Sequence, residues 1–447
     1  MILSEVKAIT TNWMLCSNAM ARCSFLSYEI FTEKLYLFAG SKEVRRKLYF
    51  AAIFYLEGCF MIEPFAFDFQ TTIEFGCGKS KEIVKKIREL AVERIMVVTD
   101  AQLMQLGILD SILNGMTEQG MDYVIYDSVL PNPRAEQVDE CAALYRKAEC
   151  QLVLAIGGGS VMDVAKGAAV IAANGGEIMD YLLLRGEERK VCRKAPEKLI
   201  AVPTTSGTGS EVSECIVITD KNGKKDLMLA PELAPEYAYV DPELTYNVPS
   251  FITAVTGLDV LGHAIESYVS SLESRFAELF ALEAIKLTFQ YLPAAVQGNR
   301  EARNQMALAS VYAGIAQSKN GCILPHAVSC PLSVRYKVPH GYAVGIAQIP
   351  SITFTRDVCG AKYEEIVRYI GEPGEGTEGA DILIQKIHDL FRAVSLDEKV
   401  DIGELDDDLL NSLAEDALLE VDIEDCPRQP VSKSDIVEIY KEILVKQ

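Results

Sequence analysis

The rhythm of apolar and polar positions changes near residue 61 of this 447-residue chain. Before it, neither an alternating nor a helical repeat runs cleanly. From Met61 on, Phe65, Phe67 and Phe69 alternate with other residues, and Thr71–Phe75 leads into Gly76-Cys77-Gly78. That pattern predicts two short strands and a turn opening a folded domain. Short apolar runs and helix-like stretches then take turns. Runs at 94–99, 121–126, 151–156 and 198–203 are almost continuously apolar. Strands of a parallel sheet covered by helices on both faces read this way.

Two of these strands end in small, polar loops. The run at 151–156 enters Gly157-Gly158-Gly159-Ser160 and then a helical stretch from Val161. A glycine turn at a helix start gathers backbone N–H groups and the helix dipole, which suits a phosphate. A plain tight turn accounts for the glycines equally well. The strand at 198–203 feeds a second loop, Thr204-Thr205-Ser206-Gly207-Thr208-Gly209-Ser210. Two such loops at strand C-termini strengthen a cofactor reading, since ligands of open parallel sheets bind there. Asp100, at another strand end, either caps the next helix or accepts hydrogen bonds from ribose hydroxyls, which would favour NAD over NADP.

Histidine is scarce, with four in the chain. Asp259 and His263 stand four apart in the helix-like run 253–268, on one face. By itself such a pair is more often an ion pair or a satisfied core contact. His326 and His340 each follow a proline in apolar surroundings, where an unpartnered imidazole is costly. One carboxylate and three imidazoles suit a borderline divalent ion such as iron(II) or zinc(II). His388, in the amphipathic run Ile382 to Phe391, reads as a surface residue.

Composition narrows the classes. With 49% hydrophobic residues the chain is not disordered. A net charge of −21 argues against nucleic acid. The first 60 residues hold seven Lys/Arg and five Asp/Glu, so the acidic excess lies wholly in residues 61–447. Twelve cysteines show no C-x-x-C pair and read as reduced, which points to the cytoplasm. Arg45-Arg46-Lys47 before the apolar run Leu48–Leu56 imitates a signal peptide, but it lies deep in the chain and lacks a small-residue cleavage site. That run is also far too short to span a membrane.

Taken together, the motifs resemble the iron-containing (group III) alcohol dehydrogenase family. They are Pro131-Asn132-Pro133, Gly157-Gly-Gly-Ser-x-x-Asp163-x-Ala-Lys, Pro203-Thr-Thr-Ser-Gly-Thr208, Thr256-Gly-Leu-Asp259-x-x-x-His263-Ala-Ile-Glu266 and Pro339-His340-Gly. The match spans residues 61–447 and leaves out 1–60, which are expected to be an upstream extension, with translation starting at Met61. The resemblance implies a Rossmann-like α/β NAD-binding domain at 61–248 and an all-helical metal domain at 249–447, the architecture shared with dehydroquinate synthase. It implies Asp259, His263, His326 and His340 as ligands of iron, or zinc. For NAD(H) it implies Asp100, Asn132, Gly158, Gly159, Ser160, Asp163, Thr204, Thr205, Thr208 and Lys225. The activity implied is hydride exchange between NAD(H) and a small alcohol or aldehyde, with the ion as Lewis acid. A glycerol dehydrogenase-like polyol enzyme and a weakened NAD-binding sensor are the alternatives. A homo-oligomer with no membrane partner is expected.

One position departs from the family. Most alcohol-oxidising members carry a second histidine four residues after the third ligand, and this chain has Cys330. A thiol replaces imidazole as a proton relay near neutrality only if its pKa is much lowered. Cys330 is therefore a candidate pocket residue, and no catalytic residue is assigned.

Overall fold

The computed structural model describes residues 67–446, apart from 183–188, 195, 222, 373–378 and 404. The expectation for residues 1–60, and the one for Phe65, lie outside the described residues. In chain order the first half runs Thr72–Phe75 (β1), Ile83–Glu89 (α1), Arg94–Val98 (β2), Ala101–Gln105 (α2), Asp110–Glu118 (α3) and Asp122–Tyr126 (β3). It continues through Ala135–Lys147 (α4), Leu152–Gly157 (β4), Gly159–Asn174 (α5), Lys198–Pro203 (β5), the hairpin Cys215–Thr219 (β6) and Lys225–Leu229 (β7), and Tyr237–Val240 (β8).

Six of these strands form one sheet in the order β1-β8-β5-β4-β2-β3, and every neighbouring pair is parallel. Alternate strand residues face opposite layers. Met96, Val98, Val153 and Ala155 pack with α4 and α5, whereas Ile95, Val97, Leu152 and Leu154 pack with α1 and α3. Both faces of β2 and β4 are thus buried, which is why their sequences do not alternate. Each such Val, Ile or Leu contributes roughly 1.5–3 kcal/mol by leaving water.

The expected strand through Phe67 and Phe69 does not form, and residues 67–71 carry no strand. The Phe67 ring instead packs over Phe276, with centroids 5.3 Å apart, and over Phe280 at 6.4 Å. Burial against these aromatic side chains has replaced sheet pairing for this segment.

From residue 250 the chain is almost entirely helical. Ser250–Val269 (α6), Arg275–Val296 (α7), Arg300–Asn320 (α8), Leu324–Arg335 (α9), His340–Tyr369 (α10), Gly379–Ala393 (α11), Asp407–Ala417 (α12) and Lys433–Ile443 (α13) enclose one apolar cluster. A two-residue parallel pairing, Val400–Asp401 with Leu444–Val445, closes the C-terminal end. Among the described residues only α7 is long and apolar enough to cross a membrane, and half of its most apolar window is buried among the other helices.

Candidate metal centre and cofactor cleft

The two loops foreseen after β4 and β5 lie side by side because those strands are neighbours. Gly157 pairs with Pro203, and the Thr204 N–H donates to the Gly157 carbonyl at 3.0 Å. Gly158 is the N-cap of α5 and provides no side-chain cap, so the first-turn N–H groups of a 16-residue helix are left for a ligand. A Cβ on Gly158 would meet only Thr205 Oγ1 at 3.5 Å, whereas one on Gly159 would strike Thr208 at 2.7 Å. Gly159 is therefore required by the second loop packing on the first, a reason the sequence did not reveal. Ser160 is half-buried in the same turn.

Asp163 lies one turn further along α5 and is turned inward. Its Oδ1 accepts from Ser210 Oγ at 3.0 Å and its Oδ2 from the Val217 N–H at 3.2 Å. Lys166 donates to Ser210 Oγ, to Ser213 O and Oγ, and to Cys215 O, all within 2.9–3.1 Å. Burial pushes the Asp163 carboxyl up to about 6, even with Lys166 and both hydrogen bonds favouring its charge. The pair pins the Thr204–Ser210 loop and the β6–β7 hairpin onto α5. Asp163 thus shapes the cleft from behind.

Asp100 takes the capping role that was one of its two readings, since Oδ1 accepts from the Leu103 N–H at 2.9 Å. Asn132 adopts a left-handed backbone, φ 53°, between its two prolines, and its carbonyl accepts from Thr219 Oγ1 at 3.4 Å. Asn tolerates that conformation better than most residues. The hairpin anchored there carries Lys225, whose charge acts on Asp163, His340, Cys330 and Glu420. The charge of Lys225 therefore reaches both the carboxylate behind the cofactor loops and the histidine cluster.

The helical half supplies that cluster. Asp259 and His263 face the same way from adjacent turns of α6 and are both buried. Pro325 lies in the first turn of α9 and Pro339 caps α10, so the two prolines start the helices whose first turns present His326 and His340. Gly341 lets α10 approach α6, because a Cβ there would lie 2.1 Å from the Val255 carbonyl and 2.8 Å from Asp259 Cβ.

Three of the four expected ligands converge. Asp259 Oδ1 is 3.9 Å from His326 Nε2 and 3.8 Å from His340 Nε2. Two donors each about 2.1 Å from one ion span at most about 4.2 Å, so both separations fit a shared ion. The hydrogen bonds around the rings leave those nitrogens as lone pairs. His326 Nδ1 faces Glu266 Oε1 at 2.8 Å, and His340 Nδ1 faces Ser329 Oγ at 3.2 Å, whose own proton goes to the His326 carbonyl at 2.8 Å. Each Nδ1 is thus the donor, and each Nε2 the acceptor. Asp259 Oδ1, His326 Nε2 and His263 Nδ1 are buried without a hydrogen-bond partner, a costly arrangement that a cation relieves.

His263 stands outside this close group of three. Its ring stacks on His326 with centroids 4.6 Å apart and bonds the Gly207 backbone. One of its nitrogens joins Cys322 and His326 in a second group of donors.

Electrostatics divide the histidines. Burial, followed by the charges of Lys225 and the other two histidines, holds His340 well below its ordinary value, and burial lowers His263. Burial opposes protonation of His326 as well, but Glu266, Asp259 and Asp422 outweigh it and lift this ring to about 9, so Nε2 offers its lone pair to an ion by giving up the proton it holds when no ion is bound. Cys330 is buried and hydrogen-bonds Glu420. Burial pushes its thiol up rather than down, so it does not replace the missing histidine as a relay. Burial likewise raises Glu420 to about 8 and Asp422 to about 6.

Sequence reasoning missed Glu266, although its position seven residues after Asp259 and three after His263 puts it on their helix face. Gln348, which donates to Glu266 Oε1 at 2.7 Å, carried no such signal, nor did Glu420 and Asp422, brought in from the far C-terminal region. His388 is half-buried on α11, and its Nδ1 pairs with Glu398 at 2.8 Å, apart from the cluster.

A parallel-sheet half bearing two helix-start loops, joined to a helical half bearing a carboxylate and histidines, defines a metal-dependent nicotinamide oxidoreductase. Comparison with known proteins gives the family. Residues 70–242 match the profile described as iron-containing alcohol dehydrogenase, and residues 253–444 match the C-terminal profile of the same family. The chain belongs to the iron-containing alcohol dehydrogenase family. It is 32% identical over 378 residues to the NAD-dependent methanol dehydrogenase of Bacillus methanolicus, covering 83% of this chain and 97% of that one. It is 30% identical over 374 residues to the lactaldehyde reductase of Escherichia coli K12, with coverage of 83% and 97%. The crystal structure of sulfoacetaldehyde reductase from Bifidobacterium kashiwanohense with NAD+ superposes with a TM-score of 0.77 at 32% identity, covering 85% of this chain and 98% of that one. The protein is accordingly an NAD-dependent oxidoreductase acting on alcohols and aldehydes, with iron and NAD(H) as the fitting cofactors.

Proposed function

We propose that Asp259, His263, His326 and His340 hold the divalent ion and that the protein interconverts a small aldehyde and its primary alcohol. The convergence of Asp259 Oδ1 with His326 Nε2 and His340 Nε2, the first two buried and unpartnered, carries this reading. When bound, the ion supplies Lewis acidity and NAD(H) supplies or accepts the hydride. The chain's own residues orient and enclose. The uncapped N-terminus of α5, with Gly158 and Ser160, binds the pyrophosphate, and Thr204, Thr205 and Thr208 line the facing loop. Lys225 and Asn132 bind the cofactor where the hairpin meets the cleft. Asp100 repels a 2′-phosphate and so favours NAD over NADP. Cys330 closes the pocket as a small apolar wall, which suits short substrates such as those named for the relatives.

Residues 61–248 act as the NAD-binding domain and 249–447 as the metal-bearing one. The chain works in the cytoplasm as a homo-oligomer, away from membranes and nucleic acid, a reading supported by its acidity and by the exposed Phe251, Phe276 and Leu279. The test is NAD(H)-dependent turnover of a short aldehyde and alcohol panel before and after chelation, and in His340→Ala. Activity is expected to vanish on chelation and to return with added iron(II) in the native chain only. Turnover that survives both treatments refutes the metal assignment.

A further inference from the structure

Behind the Asp259–His326–His340 group lies a second set of donors. Cys322 occupies the short link between α8 and α9, and only 7% of it is exposed. Its sulfur and one ring nitrogen each of His263 and His326 lie within 4.8 Å of one another, and all three residues are buried. His263 is prepared for such a role. Its Nδ1 is buried without a hydrogen-bond partner and so is available to a cation. The thiol's contact with Gln317 Oε1 is long, 3.9 Å, and easily surrendered.

The two donor sets differ in chemistry. Asp259 with two imidazoles offers oxygen and nitrogen, which suit iron(II). His263, Cys322 and His326 offer sulfur and nitrogen, which suit softer, thiophilic ions. Three donors around one ion, sulfur at about 2.3 Å and nitrogen at about 2.1 Å, stand about 3.4–3.8 Å apart, so side-chain shifts of up to about an ångström close this set around one ion.

We propose that the metal pocket has a second coordination mode, His263–Cys322–His326, which captures a thiophilic divalent ion of the zinc and cadmium class away from Asp259 and His340. Binding forms the metal–sulfur bond and releases the thiol proton to solvent, with no change of oxidation state. Because His326, and with it the catalytic ion's fourth ligand His263, belongs to both modes, the two exclude each other. A zinc or cadmium ion in the inner set keeps iron from the outer one and is drawn back from the carboxylate and from His340. The protein then discriminates between metals by depth in the pocket. This inference rests on the reading that His326 is a ligand, but it concerns a different donor and has a different readout.

The probe is Cd2+, added to the metal-free full-length chain under reducing, oxygen-free conditions. The thiolate-to-cadmium absorption in the near ultraviolet is expected to rise with one equivalent per chain in the native protein and in His340→Ala, and to be missing in Cys322→Ser. Cadmium NMR of the native protein provides a check without a variant, since one sulfur ligand shifts the resonance well away from that of an oxygen-and-nitrogen site. Cys322→Ser is further expected to bind Cd2+ at least about tenfold more weakly, a difference of about 1.4 kcal/mol. It should keep its iron-supported turnover and resist cadmium inhibition. A cadmium resonance without sulfur character, or an absorption band that persists in Cys322→Ser, overturns the inner mode while leaving the catalytic reading intact. A sulfur-ligated cadmium signal in a protein whose turnover ignores iron and chelators would instead sustain the inner mode and sink the catalytic-metal reading.

Discussion

Glu266 Oε1 stands 2.8 Å from His326 Nδ1, and the same carboxylate accepts from Gln348 Nε2 at 2.7 Å and from the Ile323 N–H at 2.9 Å. With 1% of its surface exposed, Glu266 is a buried charge whose partners include the imidazole it orients. It fixes the tautomer that leaves Nε2 free and raises that nitrogen's basicity.

Replacing this carboxylate by an amide of the same shape is expected to weaken divalent-ion binding about 10–100-fold while NAD binding stays near native. Competition of Glu266→Gln with a chromogenic chelator measures the first, and cofactor fluorescence the second. Native-like ion affinity in the variant would remove the orienting role.

Gly159→Ala tests the contact between the two loops. Its new Cβ would lie 2.7 Å from Thr208 Cγ2 and 3.1 Å from Thr208 Cβ, so Thr208 must shift. Overpacking of this kind costs about 1–3 kcal/mol, and each 1.4 kcal/mol is tenfold. The KM for NAD is expected to rise by about tenfold or more, with the ion content unchanged. An unaltered KM would show that the loops move apart freely.

Cys330→Ala examines the family's missing histidine. Because burial raises this thiol, it keeps its proton at neutral pH and relays none to another group. The pH profile of kcat is expected to keep its shape, and only KM for the aldehyde should move as the pocket widens. A titrating limb lost in the variant would restore Cys330 as a relay.

The buried acids predict how stability responds to pH. Burial holds the Glu420 carboxyl neutral up to about 8 in the folded chain, against 4.5 ordinarily. Between those values the folded state binds more protons than the unfolded one, so stability falls as pH rises through that window. Between about pH 5 and about pH 8 the melting temperature of the metal-free native protein is expected to fall relative to that of Glu420→Gln, the lowered His263 and His340 pulling both proteins alike in the opposite direction. The variant keeps a pH dependence of its own, because burial raises Asp422 and Glu211 too. Parallel slopes in the two proteins would contradict the assignment.

The sequence alone determined what depends on neighbours in the chain. Continuous apolar runs announced β2, β4 and β5 because both faces of those strands are covered. Glycines announced the start of α5, because backbone conformation at that point is local. The identity of the candidate ligands was legible for the same reason, through scarce histidines and an i,i+4 spacing. Tertiary structure alone decided how those residues are used. It turned Asp163 inward, since that carboxylate meets Ser210 and Val217 only once the hairpin folds over α5. It drew Phe67 out of a strand and onto two aromatic rings of α7. It rotated His263 toward Cys322, and it brought Glu420 from the far end of the chain to Cys330. Spacing along a chain fixes which face a side chain leaves from, but its partner depends on packing across elements far apart in sequence, and it is there that desolvation sets the charges of this site.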